Sequence, residues 1–257
     1  MSLQNYRATE RHFWRSIAQD VITVSDRAEC YLTPLPVPVF NYIYLQAGAD
    51  SNEFSLAQQP FMPHHKPHCL VAEKSAAETL HPQIMAAGYE ADGETSAMHL
   101  SVDEWLPSSV LPAGCEIREV NEQLSLWAEP LEAAFPAGEN DGEDAPDFSI
   151  VSDYISYHQR AMANGAELYH AVLLCQGKPV SCITLSLSEY GARIDDLGTV
   201  PAYQGNGYAT LLLDYALTLC RTRGIRDCYL EASSEGLSLY QKLGFRTLFN
   251  YLFYVKG

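Results

Sequence analysis

The sequence predicts an α/β protein with a mixed, mostly antiparallel sheet flanked by helices. Three short runs rich in apolar and β-branched residues, separated by tight turns, indicate an antiparallel meander; they cover residues 169–175, 180–187 and 193–200. A helix, a strand, a helix and a strand are then expected at residues 208–223, 228–232, 235–243 and 245–255. A meander joined to a parallel crossover gives a mixed sheet with helices on both faces.

Two helices are expected before this meander. Residues 120–135 carry apolar side chains at helical spacing, namely Leu124, Trp127, Leu131 and Phe135, and Pro130 is expected to kink or split the helix. Residues 148–162 form a second amphipathic segment, which the pair Asn164-Gly165 should end.

Composition narrows the class of protein. The chain is 47% hydrophobic and 19% charged, as a soluble globular protein is, and it contains no run of about 18 apolar residues that would cross a membrane. The first residues lack an apolar signal core, so we expect a cytoplasmic protein. The formal net charge of -16 argues against nucleic acid as a partner. It leaves cationic substrates such as amines open, although simple solubility also explains it.

Cysteine and histidine patterns give no sign of a metal site. The seven cysteines form no CxxC pair and four lie in apolar stretches, so neither a disulfide framework nor a zinc site is expected. His64, His65 and His68 form an HHxxH cluster, but Pro63 and Pro67 indicate a loop without the helical context of a ligand set. We therefore predict that the protein holds no metal.

Proline and glycine positions suggest two domains. Residues 105–114, WLPSSVLPAG, have the composition of a linker, which gives domains at 1–107 and 116–257 joined by 108–115. Residues 138–147 carry five acidic side chains and no apolar periodicity, which is typical of a solvated loop. An acidic lip that attracts a substrate is the alternative interpretation of that segment.

The most informative segment is the loop VPAYQGNGYAT at residues 200–210, between a predicted strand and a long apolar helix. Glycine lets the backbone approach a ligand closely, and the free amides of a first helical turn form an anion site. A diphosphate across residues 205–210 would be held mainly by main-chain amides. Taken alone, two glycines before a helix equally predict a tight turn. The loop matches neither the dinucleotide fingerprint nor the P-loop.

Two motifs together carry a resemblance to a known family. QGNGYA at residues 204–209 resembles the Q/R-x-x-G-x-G/A acetyl-CoA loop of the GCN5-related N-acetyltransferases, and LYQKLGF at residues 239–245 resembles their second signature. The resemblance covers about residues 117–254. It implies the acyl-CoA N-acyltransferase fold, acetyl-CoA as cosubstrate, and direct transfer of an acetyl or related acyl group to a primary amine. The cofactor-binding residues it implies are Gly198, Thr199, Val200, Gln204, Gly205, Asn206, Gly207, Tyr208, Ala209, Thr210 and Ser234.

The same resemblance implies roles in acyl transfer. A main-chain amide within residues 198–200 would polarise the thioester carbonyl, and Tyr240 would donate a proton to the thiolate leaving group. The base is left open: Asp196, its neighbour Asp195, Glu231 or a chain of waters would take the amine's proton. Alternation along the strand sends Asp195 and Asp196 to opposite faces. Ser233 and Ser234 are expected to cap the helix that carries Tyr240, and Ser234 stands near the position where the family often has an asparagine.

The first half of the chain shows a weaker similarity to the second. A strand at residues 41–45, a helix at 78–87 ending at Gly88-Tyr89 and a strand at 95–100 follow the order of the C-terminal elements without a glycine loop. This resembles the degenerate first half of tandem acetyltransferase-like proteins. It implies two similar halves, with no cofactor bound by the first. An unrelated α+β cap is the alternative.

Two questions of function stay open at this level. A CoA-binding regulatory or interaction protein without turnover is the alternative to an enzyme. Within the enzyme class, the acceptor is either a small-molecule amine or a peptide amine, meaning a protein N-terminus or lysine. Both acceptors are cations before deprotonation, so the acidic balance suits either.

Overall fold

The computed structural model describes residues 2–135 and 150–256 of the chain, so the acidic segment 138–147 lies outside the described residues. In chain order the helices are α1 (Ser2–Ile17), α2 (Ser51–Gln58), α3 (Lys74–Ala86), α4 (Leu124–Ala134), α5 (Ile150–Ala163), α6 (Tyr208–Thr222) and α7 (Leu237–Leu243). The strands are β1 (Asp20–Ser25), β2 (Ala28–Leu32), β3 (Tyr42–Leu45), β4 (His68–Glu73), β5 (Glu90–Ser101), β6 (Cys115–Glu119), β7 (Glu167–Cys175), β8 (Lys178–Ser188), β9 (Gly191–Thr199), β10 (Asp227–Ala232) and β11 (Arg246–Lys256).

The chain divides into two compact units that interleave along the sequence. Unit 1 consists of Met1–Ser16 and His99–Leu230, and unit 2 of Ile17–Met98 and Glu231–Gly257. The C-terminal helix α7 and strand β11 therefore lie in unit 2. This division follows spatial contacts, whereas the limits 1–107 and 116–257 concern which stretches correspond to family domains, and those limits stay a prediction.

Unit 1 contains the predicted meander. Its strand order is β10-β9-β8-β7-β6, with β6 to β9 antiparallel to one another and β10 parallel to β9. The β7, β8 and β9 boundaries lie within three residues of those expected, and the mixed, mostly antiparallel sheet flanked by helices is confirmed. Helix α4 runs through Pro130 without being split. The core of unit 1 is apolar and includes Trp127, Leu173 and Leu212, each fully buried.

The expected linker is ordered against α6. Residues 105–114 form no helix or strand, but the Asp214 carboxylate accepts hydrogen bonds from the amides of Ser108 and Ser109, at 3.3 and 3.0 Å. The guanidinium of Arg221 lies 4.9 Å from the centre of the Trp105 ring, which is buried. These contacts fix the segment within unit 1.

Unit 2 has the strand order β1-β2-β3-β4-β11-β5. Strands β1, β2 and β3 are antiparallel, β4 is parallel to β3, and β11 is antiparallel to β4. A core of aliphatic and aromatic side chains fills the unit; it includes Ile43 of β3, Leu70 of β4 and Leu80 of α3. The strand expected at 41–45, the helix at 78–87 and the strand at 95–100 correspond to β3, α3 and β5.

One cysteine pair corrects the sequence interpretation. Cys115 and Cys175 form a disulfide between the facing positions of β6 and β7, where their Cα atoms are 4.1 Å apart. The two residues are sixty apart in sequence and become neighbours only through strand pairing, so spacing alone did not reveal them. The other five cysteines are buried free thiols, as small core residues should be. Among the described helices, none is both long and apolar enough to cross a bilayer.

Candidate functional site

A bulge in β9 aims Asp196 out of the regular strand alternation. Thr184 of β8 pairs with Asp195 and Cys182 pairs with Gly198, so β9 has one more residue than β8 across this stretch. Asp196 takes the left-handed conformation, with φ of 52°. Such a bulge re-aims a side chain, and bulges of this kind are over-represented next to active sites. The bulge interrupts the two-residue period of β9 between Asp195 and Gly198, so simple alternation does not assign a face to Asp196.

The carboxyl of Asp196 is buried beside α5. Its side chain is 14% exposed, and the Tyr154 hydroxyl donates to Oδ1 at 3.2 Å. Burial, followed by the charge of Asp195, raises the pKa of Asp196 to about 7, against smaller lowering effects from Thr184, Tyr154 and Arg193. A carboxyl with this pKa accepts a proton near neutral pH, which is what a general base needs.

Asp195 has a different environment. Its carboxylate accepts from Nε of Arg193 at 3.0 Å, and the buried Arg193 guanidinium also lies 3.7 Å from Glu10 of α1. Burial raises the pKa of Asp195, while the charge of Arg193 and the hydrogen bond from it act to lower it. Asp195 is thus held in an ion pair with Arg193, whereas the pKa of Asp196 is raised to about 7.

The glycine loop lies directly before α6 and leaves the helix start open. Gly205 and Gly207 have φ of 78° and 76°, and a Cβ at either position would meet nothing within 4 Å. Gly207 is the N-cap and makes no side-chain hydrogen bond, and the first amide to bond within the helix is that of Leu211, to the Gly207 carbonyl at 3.2 Å. The amides of Tyr208 and Ala209 therefore have no intrahelical acceptor.

The loop's polar side chains fold back on the backbone. The Gln204 amide donates to the Thr199 carbonyl at 3.2 Å, and the Asn206 amide donates to the carbonyls of Tyr203 and Gln204 at 3.0 and 3.2 Å. These contacts fix the loop conformation without occupying the amides of the helix start. Gln204, Gly205, Asn206 and Gly207 are exposed, while Tyr208, Ala209 and Thr210 are half-buried.

The end of β9 offers one main-chain donor toward its open side. In the described residues β9 pairs with β10 only from Ala192 to Ile194. The Val200 amide donates to the Val180 carbonyl of β8 at 3.0 Å, so it is not available to a ligand. Alternation along the strand then turns the amide of Thr199 away from β8. Gly198 itself packs tightly, since a Cβ there would lie 2.9 Å from Ala134 of α4.

Three of the residues implied by the family resemblance lie in unit 2. The carboxyl of Glu231 accepts from the Thr95 hydroxyl at 2.5 Å, and Tyr240 packs edge-on against Phe245 with ring centres 5.9 Å apart. Ser234 is exposed and α7 begins two residues later than expected, at Leu237 with Gly236 as N-cap. The Ser233 hydroxyl accepts from the Gly236 amide at 3.3 Å, so Ser233 rather than Ser234 contacts the backbone ahead of the helix.

The structure also gathers residues that sequence reasoning missed. Tyr154 and His158 face the Asp196 carboxyl, and His170 and Asn121 continue from His158, with the His158 and His170 rings hydrogen-bonded at 2.7 Å. Both imidazoles are buried, which lowers the pKa of His170 to about 3 and that of His158 well below its usual range. The signal available in the sequence was a histidine inside the otherwise apolar run of β7.

His65 and His68 of the HHxxH segment have separate surroundings. His65 ends a short 3-10 turn, whereas His68 begins β4 and has both ring nitrogens hydrogen-bonded, to the Lys66 carbonyl and the Tyr89 hydroxyl. Across the described residues, no group of three or more His, Cys, Asp or Glu side chains has the arrangement of a metal site.

Comparison with known proteins places this geometry in a family. Residues 131–245 match the model of the acetyltransferase (GNAT) family. The structure is similar to a GCN5-related N-acetyltransferase from Kribbella flavida, with a TM-score of 0.69 and 12% identity over 98% of this chain and 95% of that one. The structure is also similar to a GCN5-related N-acetyltransferase from Sphaerobacter thermophilus. The TM-score is 0.63, with 16% identity over 90% of this chain and 76% of that one.

A tandem GNAT protein from the clavulanic acid biosynthesis pathway is also similar, with a TM-score of 0.59 and 13% identity over 89% of this chain and 78% of that one. A search of curated protein sequences gives no match. The structural similarities are ones of fold, and the family model adds the sequence pattern around β9 and α6. Residues 131–245 of this chain therefore form a domain of the acetyltransferase (GNAT) family.

Proposed function

We propose that the protein is an N-acetyltransferase that moves an acetyl group from acetyl-CoA to a primary amine by direct transfer. The observation that carries the proposal is the open start of α6, where two glycines in the left-handed conformation precede a helix without a side-chain cap. Free amides and the positive end of the helix dipole attract a diphosphate. The loop is free of side chains that would compete for those amides.

The cosubstrate is assigned to the residues of this loop and of the β9 end. In this proposal the amides from Gly205 to Thr210 hold the diphosphate, and the Thr199 amide polarises the thioester carbonyl. Gly198, Val200 and Gln204 shape the backbone around that donor. Ser234 remains a candidate contact for the pantetheine arm on the family resemblance alone.

Asp196 is the base in this mechanism. A primary amine attacks only after losing a proton, and the pKa of about 7 lets the Asp196 carboxylate take that proton near neutrality. The amine lone pair then forms the bond to the thioester carbon, and the C–S bond breaks with its electrons on sulfur. Tyr240 is the candidate donor of the proton to that thiolate. Glu231 is the alternative base, and its hydrogen bond from Thr95 makes it the less available of the two.

The acceptor is inferred to be a cation before it reacts. The chain has 16 basic and 32 acidic side chains, and its net charge of -16 favours encounter with an amine over a polyanion. Small-molecule amines and peptide amines both satisfy this condition. We expect neither nucleic acid nor a membrane as partner, no metal requirement, and a cytoplasmic location.

The proposal is tested by separating binding from turnover. Calorimetric titration of the full chain with acetyl-CoA should give saturable binding, and a panel of small amines and peptides should contain an acetylated product. Asp196→Asn should bind acetyl-CoA as the wild type does and lose most of its turnover, and Tyr240→Phe should behave in the same way. Binding without turnover on any acceptor would favour a CoA-binding regulatory protein. Absence of binding at millimolar acetyl-CoA would refute the proposal.

A further inference from the structure

A chain of hydrogen bonds leads from the backbone of β7 to the carboxyl of Asp196. Asn121 receives the His170 main-chain amide on Oδ1 at 2.8 Å and donates through Nδ2 to the Leu168 carbonyl at 2.9 Å. His170 Nδ1 lies 2.9 Å from the same Oδ1, and His170 Nε2 lies 2.7 Å from His158 Nδ1. His158 Nε2 then faces Asp196 Oδ2 at 4.0 Å. We call Asn121, His170 and His158 the histidine chain.

The direction of this chain follows from the backbone contacts. A main-chain amide can only donate and a carbonyl can only accept, so the orientation of the Asn121 amide is settled at both ends. Its Oδ1 is an acceptor, and His170 Nδ1 must carry the proton. Both imidazoles are buried and neutral, so His170 Nε2 carries no proton and accepts a hydrogen bond from His158 Nδ1. His158 Nε2 is consequently unprotonated as well, and its lone pair can accept a hydrogen bond.

We propose that His158 is a positioning residue for Asp196: it presents a hydrogen-bond acceptor to that carboxyl and so favours the carboxyl's protonated state. Across the described residues His158 Nε2 has no hydrogen-bond partner, although the ring is fully buried. A lone pair opposite an ionised carboxylate is repulsive, which suits the 4.0 Å separation. A protonated carboxyl can instead donate to the ring, and the buried acceptor then gains the partner it lacks.

The surroundings of the carboxyl leave this acceptor a distinct role. Tyr154, on α5 with His158, donates to Asp196 and stabilises the ionised form. On β9, Asp195 opposes the ionised form and Arg193 favours it, while the Thr184 side chain on β8 also acts to lower the pKa of Asp196. The His158 ring is enclosed by the rings of Phe13, Trp127 and Tyr154, with centres 6.3, 5.0 and 4.4 Å away. This apolar enclosure keeps the imidazole neutral, so it cannot itself supply a proton to Asp196.

The inference rests on the proposed function for its catalytic meaning. When the amine transfers its proton to Asp196, the new carboxylic acid donates to His158 Nε2 and no further proton moves along the chain. The electron pair left on the amine forms the bond to the thioester carbon. The histidine chain thereby sets how strongly Asp196 holds the proton it removes.

Nitrogen NMR of the full chain, labelled with ¹⁵N in its histidines, tests the inference without any activity. His158 and His170 should both be neutral with the proton on Nδ1, the less common tautomer. The His158 Nε2 resonance should shift with a midpoint near the pKa of Asp196, about 7, and this step should be absent in Asp196→Asn. A proton on His158 Nε2, a charged His158 ring, or an Nε2 resonance that does not move with pH would overturn it.

Two variants separate the hydrogen-bond direction from mere packing. Asn121→Ala removes the fixed acceptor, so both rings should populate mixed tautomers and the proton affinity of Asp196 should fall about tenfold, or about one pH unit. Trp127→Phe is the matched control, because Trp127 contacts both imidazoles and sets neither tautomer; it should leave the midpoint in place. An equal shift in the two variants would mean that packing alone acts on Asp196.

The outcomes keep the inference separate from the proposed function. Correct tautomers in a chain that fails to bind acetyl-CoA would refute the acetyltransferase proposal and leave the histidine chain intact. An active acetyltransferase with His158 protonated on Nε2 would do the reverse. If the chain is active, the pH at half-maximal kcat should move with Asn121→Ala and stay with Trp127→Phe.

Discussion

Helices α2 and α6 begin at corresponding places in the two units, but side chains cap the first turn of α2 and not that of α6. Each follows a strand, β3 or β9, and each precedes the strand that pairs parallel with it. At α2, Asp50 accepts from the amides of Asn52 and Glu53 at 2.9 Å each, and Glu53 accepts in return from the Asp50 amide at 2.8 Å. At α6, Gly207 offers no side chain.

The difference shows how one helix start is kept for an outside anion. The capping box of α2 places a carboxylate of the protein itself on the first-turn amides, so a phosphate there would meet negative charge. The start of α6 has the same amides and dipole, and in the part of the chain that the structure describes no side chain caps them. This contrast gives a physical reason to expect that the first half binds no cofactor.

The same contrast appears in two carboxyl groups. Hydrogen bonds from Ser25, the Asp50 amide and Arg27 lower the pKa of Glu53 in unit 2, while burial acts to raise it. Burial and a neighbouring carboxylate raise the pKa of Asp196 in unit 1 to about 7. Unit 2 uses its carboxylate to complete a structure, and unit 1 leaves a carboxyl able to take a proton.

The largest effect should come from giving α6 the cap of α2. Gly207→Asp places a carboxylate where we expect the diphosphate, and acetyl-CoA affinity should fall at least about 100-fold, which corresponds to about 2.7 kcal/mol. Gly207→Asn is the control, because asparagine has the same size, tolerates the left-handed conformation and carries no charge. Calorimetric titration of both variants measures the difference. Equal affinities would show that charge at this position does not matter.

Turnover should depend on the protonation of Asp196. Below its pKa of about 7 the carboxyl is protonated and cannot accept from the amine, so kcat should fall about tenfold for each pH unit under that value. Above it, kcat should level off. The pH profile of acetylation with saturating cosubstrates measures this, with acetyl-CoA affinity followed over the same range. A flat profile between pH 5 and pH 8 would exclude Asp196 as the base.

Removing the cap of α2 should affect stability and leave binding alone. Asp50→Ala takes away two hydrogen bonds at the start of α2 and should lower the free energy of unfolding by about 1–2 kcal/mol. Acetyl-CoA affinity should stay unchanged, with one molecule bound per chain. Chemical denaturation and calorimetric stoichiometry are the measurements. A second acetyl-CoA bound by the wild type would break the comparison between the two helix starts.

The smallest effects should be on the free energy of unfolding, and the contributions of Glu53 and Asp196 should change with pH in opposite directions. The lowered pKa of Glu53 contributes stability above its unfolded pKa that is lost in acid, so Glu53→Gln should cost about 1 kcal/mol at neutral pH and little at low pH. The raised pKa of Asp196 contributes stability in acid that is lost as pH rises through about 7. Asp196→Asn should therefore be about as stable as wild type at pH 5 and about 1–2 kcal/mol more stable at pH 9. Denaturation at several pH values would show matching trends if this interpretation is wrong.

Much of unit 1 could be predicted because its sequence pattern is local. Apolar runs with glycine turns gave the meander, and the glycines around α6 gave the limits of that helix to within one residue. Unit 2 was harder, because β1 is half exposed and its burial follows no two-residue period. The disulfide and the pairing of β11 with β4 depend on contacts between distant residues.

The candidate site was predicted in part for the same reason. Asp196 and the glycine loop lie within one contiguous stretch, so the motif and the strand led to them directly. The histidine chain comes from three separate segments, at Asn121, His158 and His170, and only folding brings them to Asp196. The bulge at Asp196 depends on the register between β8 and β9 and on a left-handed backbone conformation, and no residue type in the sequence indicates either.

The pairing of β4 with β11 has a consequence for the order of synthesis. All six residues of β4 are buried in the finished protein, and one edge of the strand is covered by β11 from Tyr251 to Lys256. A ribosome makes β4 long before β11, so the β4 edge that pairs with β11 stays unpaired while residues 99–230 of unit 1 are translated. Unit 2 can be completed only after translation has passed Lys256. A nascent chain that stalls earlier exposes a ready template for aggregation, and chaperones that recognise apolar strands should find it there.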